Sequence, residues 1–389
     1  MKAGIGLSRT RELEKAFQEA YRQALQKLGA LKPDFAFVGF TYDHVLEPEI
    51  FTGIISRNLR DLPHMGCSTW SAWGQKEFVE GEGGLIVLCL KDVKTDDRIF
   101  KVHSLREKQD LWASEVVRYL ETLELSETES HSLFMVADAI HFQNSQGFDK
   151  IKNRFPNLSV FGFGASYGIP QCSLLHNAQI YSNCLIGFLI ENQDPVKALI
   201  QNIRPEAGAI RINRMSENLV IEIDEKPAFY RLCEHLMSED DMPMMAPDEF
   251  RKHMGNMYIV EKPMMPRRSS KLIGESHRVI SLLGSEMTTG MVAVGESLDF
   301  GQQHFLGQKK IKYIEVDGLT TLEELKSQVP SPRLLMMFSS TAHFRDKERS
   351  ISDVELVRKV FPDVPLFGMG SHGEYMDALN HQATLLVAF

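Results

Sequence analysis

The sequence lacks any apolar run approaching the ~20 residues that a membrane span needs. Its opening, Met1-Lys2 followed by a short apolar strand and a charged helix, does not form the apolar core of a signal peptide. A cytoplasmic location, off the membrane, is therefore expected. Cysteine is sparse: Cys67, Cys89, Cys172, Cys184 and Cys233 are odd in number and no two form a CxxC pair. That argues against a disulfide framework and a zinc knuckle, and for buried thiols in a reducing compartment. Positive charge is in the minority, with 43 Lys and Arg against 52 Asp and Glu and a formal net charge of −9. A chain without a basic stripe has neither the electrostatic footprint for nucleic acid nor the polybasic cluster for an anionic membrane. Arg267-Arg268 with Lys271 is too small a cluster for either and reads as a solvated loop. A P-loop, an HExxH helix and the third glycine of a dinucleotide fingerprint are also missing. The Met pairs at 244–245, 264–265 and 336–337 read as fillers, and His141 and His176 have no second ligand at metal-site spacing. No protein-held metal site is expected.

What is present is an ordinary globular composition, 43% hydrophobic and 24% charged over 389 residues. That length suits two or three domains. Ala3, Ile5 and Leu7 alternate like a half-buried strand. Residues 10–28 then carry an apolar face at helical spacing (Leu13, Phe17, Ala20, Tyr21, Ala24, Leu28), with Thr10 as the expected cap and Gly29 just past the end.

The most informative feature is an internal repeat. Three stretches share an apolar strand, a polar loop, an amphipathic helix, a proline, a second strand, a glycine turn and a further strand. The first runs from Phe35 to Leu90, with a strand at Phe35–Phe40 and a helix near Ile50–Leu59. The second runs from Ser132 to Ile190, with Leu133–Ala137 and a helix around Phe148–Phe155. The third runs from Arg333 to Phe389, with Leu334–Phe338 and a helix opened by the capping-box pattern Ser352-Asp353-Val354-Glu355. A proline after each helix cannot continue it and turns the chain into the next strand. Between the second and third copies, Asp194–Asn202 and Pro227–Met237 look helical. Arg211–Ile223 reads as a strand pair, Gly290–Gly295 and Ile311–Val316 as strands, and Met242–Met245 and Pro263–Arg268 as connectors. The expected fold is α/β: two mixed-sheet domains, 1–200 and 201–389, built from repeated strand–helix–strand units with added antiparallel strands.

A strand–helix–strand unit with a short crossover gives parallel strands ending at one sheet edge, and ligands of open α/β sheets bind at that edge. The loops after the first strands carry a histidine at the same offset: His44, His141 and His343. The glycine turns after the second strands are Gly66-Cys67-Ser68-Thr69, Gly162-Phe163-Gly164-Ala165-Ser166 and Gly368-Met369-Gly370-Ser371-His372-Gly373-Glu374. Such turns can present N–H groups to a carboxylate or phosphate. The third turn is the most polar. Each histidine also has a plain reading as a polar loop residue, and each glycine as a packing turn.

Two enzyme readings can be weighed. Gly164-Ala165-Ser166-Tyr167-Gly168 fits the nucleophile-elbow pattern G-x-S-x-G, but Ile169-Pro170 follows where the elbow needs a long helix. Cys67 could serve as a nucleophile only with a lowered pKa, and the sequence names no base for it. A hydrolase using Ser166 or Cys67 is thus the weaker alternative.

These residues resemble the FIST proteins, which join a FIST N-terminal to a FIST C-terminal domain. The Gly66–Thr69 turn is similar to the N-terminal signature, although Trp70-Ser71-Ala72-Trp73 stands where the family continues with Ala-Gly-Glu. Phe361–Gly368 with Gly373-Glu374, and the His381–Val387 lead into a last strand, match the C-terminal signature. Where the family often has Ser-Cys-x-Gly-Arg, this chain has Ser339-Ser340-Thr341-Ala342-His343. The resemblance runs from about residue 30 to the end. It implies a non-catalytic sensor of a small ligand, with amino acids or similar polar metabolites proposed. Its output would pass to a separate partner such as a histidine kinase or a cyclic-dinucleotide enzyme. The implied ligand pocket involves the glycine-turn residues with Ser339, Ser340, Thr341 and His343. Some relatives are haem-binding nitric-oxide sensors. Haem here would be non-covalent, for want of a CxxCH, with axial candidates His343, His141 and His44 in that order.

Overall fold

The computed structural model describes residues 1–107, 111–126, 129–142, 146–165, 172–201, 203–236, 257–262, 272–273, 277–286, 288–295, 298, 303–309, 312–341, 347–376, 379–380 and 383–389. Three units follow one another along the chain. The first holds β1 (Lys2–Ser8), α1 (Leu13–Lys27), β2 (Phe35–Phe40), α2 (Pro48–Asn58), β3 (His64–Ser68), the hairpin β4 (Ser71–Trp73) and β5 (Phe78–Glu80), and β6 (Leu85–Lys91). The second holds β7 (Ile99–His103), α3 (Trp112–Glu121), β8 (His131–Asp138), α4 (Gln146–Arg154), β9 (Leu158–Ala165), the hairpin β10 (Leu174–His176) and β11 (Gln179–Tyr181), and β12 (Cys184–Glu191). The third begins at β13 (Val196–Gln201). An insertion follows: β14 (Ile203–Ile210), β15 (Ile212–Ser216), β16 (Leu219–Ile223), β17 (Lys226–Pro227), α5 (Ala228–Leu236), β18 (Met257–Lys262), β19 (Leu272–Ile273), β20 (Arg278–Glu286), β21 (Met291–Val294) and β22 (Gln303–Lys309). The unit then resumes with α6 (Lys312–Gln328), β23 (Leu335–Ser340), α7 (Lys347–Val360), β24 (Leu366–Met376), β25 (Leu379–Asn380) and β26 (Ala383–Ala388).

Each unit has the same strand order: β1-β6-β2-β3, β7-β12-β8-β9 and β13-β26-β23-β24. In each, the pair joined by the second helix is parallel: β2/β3, β8/β9 and β23/β24. The last strand runs antiparallel beside the first strand of that pair. The expectation of a mixed α/β fold built from repeated units is met. The repeat is longer than the sequence suggested, because each copy also owns the strand and helix that precede it.

Strand alternation gives every sheet two apolar faces, and each finds a different partner. In β2, Phe35 and Phe37 enter a central core with Phe134, Phe161, Phe163, Phe338 and Phe367 of the other units. Ala36, Val38 and Phe40 face outward onto Phe17 of α1 and Phe51 of α2. The second unit packs its outer face under α3 and α4, and the third under α6 and α7. The three units thus share one core, and the helices lie outside.

The units exchange strands in a cycle. β10 of the second unit pairs with β3 of the first, β4 of the first pairs with β24 of the third, and the far half of β24 pairs with β9 of the second. The insertion forms its own sheet, β14-β22-β18-β20-β21-β16-β15, with α5 packed on one face; β19 instead pairs with β13.

Several expectations are corrected. Val196–Gln201 is a strand, not a helix, because it completes the third unit against β26. Residues 312–316 open α6 and are not a strand. Thr10 does not cap α1; its hydroxyl donates to Glu19, and the cap position is Glu12. α7 begins at Lys347, so Ser352 lies inside it and opens nothing. The connectors at 242–245 and 263–268, and the Arg267-Arg268-Lys271 cluster, lie outside the described residues. All five cysteines are free and buried. Among the described residues, no helix is long and apolar enough to cross a membrane.

Candidate functional site

The carboxyl ends of the three parallel pairs meet. Ser68 and Thr69 follow β3; Asp138 and Ala165 end β8 and β9; Ser340, Thr341 and Ser371 lie at the end of the β23/β24 register. Direct bonds tie the units there. Thr69 Oγ1 donates to the Gly370 carbonyl of the third unit at 3.1 Å. Ser68 accepts from the Ser173 amide of the second at 3.0 Å. The strand ends of the three copies are thus joined directly, with Ser371 of the third also facing Ala165 of the second. Ser166 and His343 lie outside the described residues.

The expected glycine turns are strands. Gly66 belongs to β3, Gly162 and Gly164 to β9, and Gly368, Gly370 and Gly373 to β24. Their N–H groups serve the ladders, and what glycine supplies is close approach. A Cβ on Gly66 would lie 2.1 Å from the Val38 carbonyl oxygen, and one on Gly162 1.8 Å from that of Met135. A Cβ on Gly368 would lie 1.7 Å from Trp73 Nε1. Opposite these three glycines the exchanged strands present Leu175, Tyr375 and Trp73, each packed into the outer core of the unit it visits.

Gly373, at φ +96°, needs glycine for its backbone, and Gly162, at φ +154°, needs it for both backbone and space. Gly373 sits in a bulge: Ser371 faces Ala165 and Glu374 faces Phe163, so β24 carries one extra residue. The bulge folds Glu374 inward, where it is fully buried. Ser371 Oγ donates to Glu374 Oε1 at 2.5 Å, and the Ala383 amide donates to Oε2 at 3.3 Å. Burial pushes the Glu374 pKa up to about 8, against the downward pull of both donors.

Beside it runs a buried hydroxyl chain. Ser339 lies 2.9 Å from the Thr384 hydroxyl, and Thr384 donates to Asp353 of α7 at 2.9 Å. At the half-buried rim, Thr341 Oγ1 lies 3.0 Å from His372 Nδ1. Across Gly164, the β8 loop approaches: the position of a Gly164 Cβ is 2.4 Å from the His372 carbonyl oxygen and 2.8 Å from Ala139 Cβ. In that loop the buried Asp138 carboxylate accepts from the Ile140 and Asn183 amides and from His141 Nδ1, the last at 3.1 Å. This fixes the imidazole with Nε2 outward.

His44 differs from His141. It lies in a short helical turn after β2, is buried, and its Nε2 has no partner among the described residues; burial lowers its pKa. Cys67 is buried in the central core, and its thiol pKa is raised well above the usual value, the opposite of what a nucleophile needs. Sequence reasoning missed Asp138, Asp353, Thr384 and Tyr375 as members of this cluster. Asp138 stands three residues before His141, which is the available signal; Asp353 falls within the capping-box pattern Ser352-Asp353-Val354-Glu355.

Fold and site together define an α/β protein of three repeated units with a polar cluster where their strand ends meet. The chain belongs to the FIST family: the FIST N domain model matches residues 34–226, from just before β2 to the first residue of β17. FIST is a family of sensory signalling domains. The chain is 20% identical over 401 residues to the uncharacterized protein MT0656 of Mycobacterium tuberculosis (strain CDC 1551 / Oshkosh), covering 98% of this chain and 97% of that protein. The same figures hold for the uncharacterized protein Rv0628c of Mycobacterium tuberculosis (strain ATCC 25618 / H37Rv).

Proposed function

We propose that this chain is a non-catalytic sensor that binds a small polar metabolite, an amino acid or a similar compound, where the strand ends of the three units meet. The observation that carries the reading is the gathering of buried Ser371, Glu374, Ser339, Thr384 and Asp353 beneath a half-buried rim of Thr341, His372 and His141. Buried polar groups are costly to assemble without a use, and this edge is where such folds bind ligands. Residues 1–200 and 201–389 are taken as FIST N-like and C-like domains, and the bound state passes to a separate cytoplasmic partner, a histidine kinase or a cyclic-dinucleotide enzyme. A thermal-shift panel of free amino acids and polar metabolites tests it, with His372→Ala as the control. One compound should stabilise the wild type and not the variant; a panel without any shift would count against the reading.

A haem-based gas sensor is the second reading. One observation favours it: the carboxylate tie on His141 Nδ1 is what metal-bound histidines usually have. Haem would supply iron for a diatomic gas, with His141 as the axial residue. The described side chains around His141 do not suit a porphyrin face, however, because they include Asp138, Asn183 and Glu107, which bonds Asn183. A hydrolase using Cys67 is disfavoured by that thiol's burial.

A further inference from the structure

One buried polar atom beside this site is left unmatched among the described residues. Tyr375 reaches from β24 of the third unit into the outer core of the second, with its ring 4.9 Å from Phe142 and 5.8 Å from Phe148. The residue is fully buried, and its hydroxyl has no hydrogen-bond partner among the described residues. A buried hydroxyl left unmatched costs free energy, so its retention calls for a partner that comes and goes. The hydroxyl points at the ligand edge: it lies 3.1 Å from the position of a Gly164 Cβ, the point that Ala139 and the His372 carbonyl also approach. Asp138 is among the charges that act on it.

The described groups around it are short of positive charge. Asp138 is 1% exposed, and its partners among the described residues are two main-chain amides and the His141 ring, with no Lys or Arg. Glu107 adds a second carboxylate, which bonds Asn183 Nδ2 at 3.1 Å and acts electrostatically on His141. A neutral His141 that gives Nδ1–H to Asp138 offers Nε2 as an acceptor. Two acceptor atoms, His141 Nε2 and Tyr375 Oη, beside a buried carboxylate that no described Lys or Arg pairs suit a donor-rich cation.

We propose that Tyr375, His141 and Asp138 form a subsite for a primary ammonium group at the junction of the second and third units. This rests on the ligand-sensor reading and names the end of the ligand that is recognised. The ammonium donates to Tyr375 Oη and His141 Nε2, while Asp138 holds the imidazole and supplies the charge. Tyr375 is then a binding residue and Asp138 a positioning one.

Two variants test it, Tyr375→Phe and His141→Gln, with butylammonium, butyrate and glycine as probes in calorimetry and thermal shift of the full chain. Butylammonium and glycine should bind the wild type and butyrate should not. Each variant should weaken butylammonium by about tenfold, the loss of one hydrogen bond to a charged group. Tyr375→Phe should also raise the melting temperature of the ligand-free chain, because it deletes an unmatched hydroxyl; a merely structural tyrosine would not couple those two changes. Butylammonium failing to bind, or binding both variants as it binds the wild type, would overturn the subsite. Binding of butyrate alone would overturn it and leave the sensor reading intact, whereas no response to any probe or to the wider metabolite panel would remove both.

Discussion

Trp73 occupies the space that a side chain at Gly368 would need: a Cβ there would lie 1.7 Å from the indole Nε1. The two residues belong to different units and are direct partners in the β4/β24 pairing. The contact is one of three in the cycle of exchanged strands, alongside Leu175 opposite Gly66 and Tyr375 opposite Gly162. The strand ends that carry the polar cluster are thus locked by neighbours borrowed from elsewhere in the chain.

Gly368→Ala should therefore destabilise the protein by about 2–3 kcal/mol through overpacking, and Trp73→Ala by about 3–5 kcal/mol through a cavity. The double variant should cost less than the sum, because the alanine methyl enters space the indole has left. Denaturant unfolding of the three variants checks this; strict additivity would mean that the residues do not compete for one space.

Glu374 gives the stability curve a definite sign. Its folded pKa of about 8 lies above the ordinary carboxyl value of 4.5, so the folded chain holds the proton more tightly. This contribution is complete below about pH 4.5 and is lost as pH rises through 8. Glu374→Gln should flatten that decline, by an amount of order a few kcal/mol across the window. Urea midpoints between pH 5 and 9 for both proteins provide the measurement.

His176 acts in the opposite direction. Burial, then the like charges of Lys101, His64 and His103, lower its pKa from 6.5 to about 4. The unfolded chain takes up the proton first, so stability is complete above about pH 6.5 and falls as pH drops toward 4. His176→Gln should remove part of that acid decline, seen as roughly a few degrees less loss of Tm between pH 7 and 5. An identical acid limb in both proteins would show that the imidazole titrates freely.

Asp353 anchors the hydroxyl chain from a helix. Asp353→Ala would leave the buried Thr384 hydroxyl short of an acceptor and should cost about 2 kcal/mol. Restoration of wild-type stability by a second change, Thr384→Val, would identify the lost bond as the cause.

Much of this architecture was legible in the sequence because it repeats. The strands at Phe35–Phe40, and those following each proline, stand where the apolar runs put them. Val196–Gln201 looks helical in sequence because Ala198 and Leu199 favour helices, and only pairing with Leu385 and Leu386 makes the segment a strand. Ile314 and Val316 suggested a strand by their branching, yet they fall within α6. The glycines are strand residues and not turns: a sequence does not distinguish a turn from a close approach, since the approaching atom, such as the Trp73 ring, lies far along the chain. Tyr375 was invisible for a related cause, because its outer-core neighbours come from another unit.

The most direct test of the account is hydrogen exchange by mass spectrometry on the full chain, with and without whichever metabolite gives the largest thermal shift. Added protection should concentrate at the strand ends, in peptides covering 138–141, 339–341 and 371–376. Protection confined to the inserted sheet, 203–236 and 257–309, with the strand ends unchanged, would contradict it.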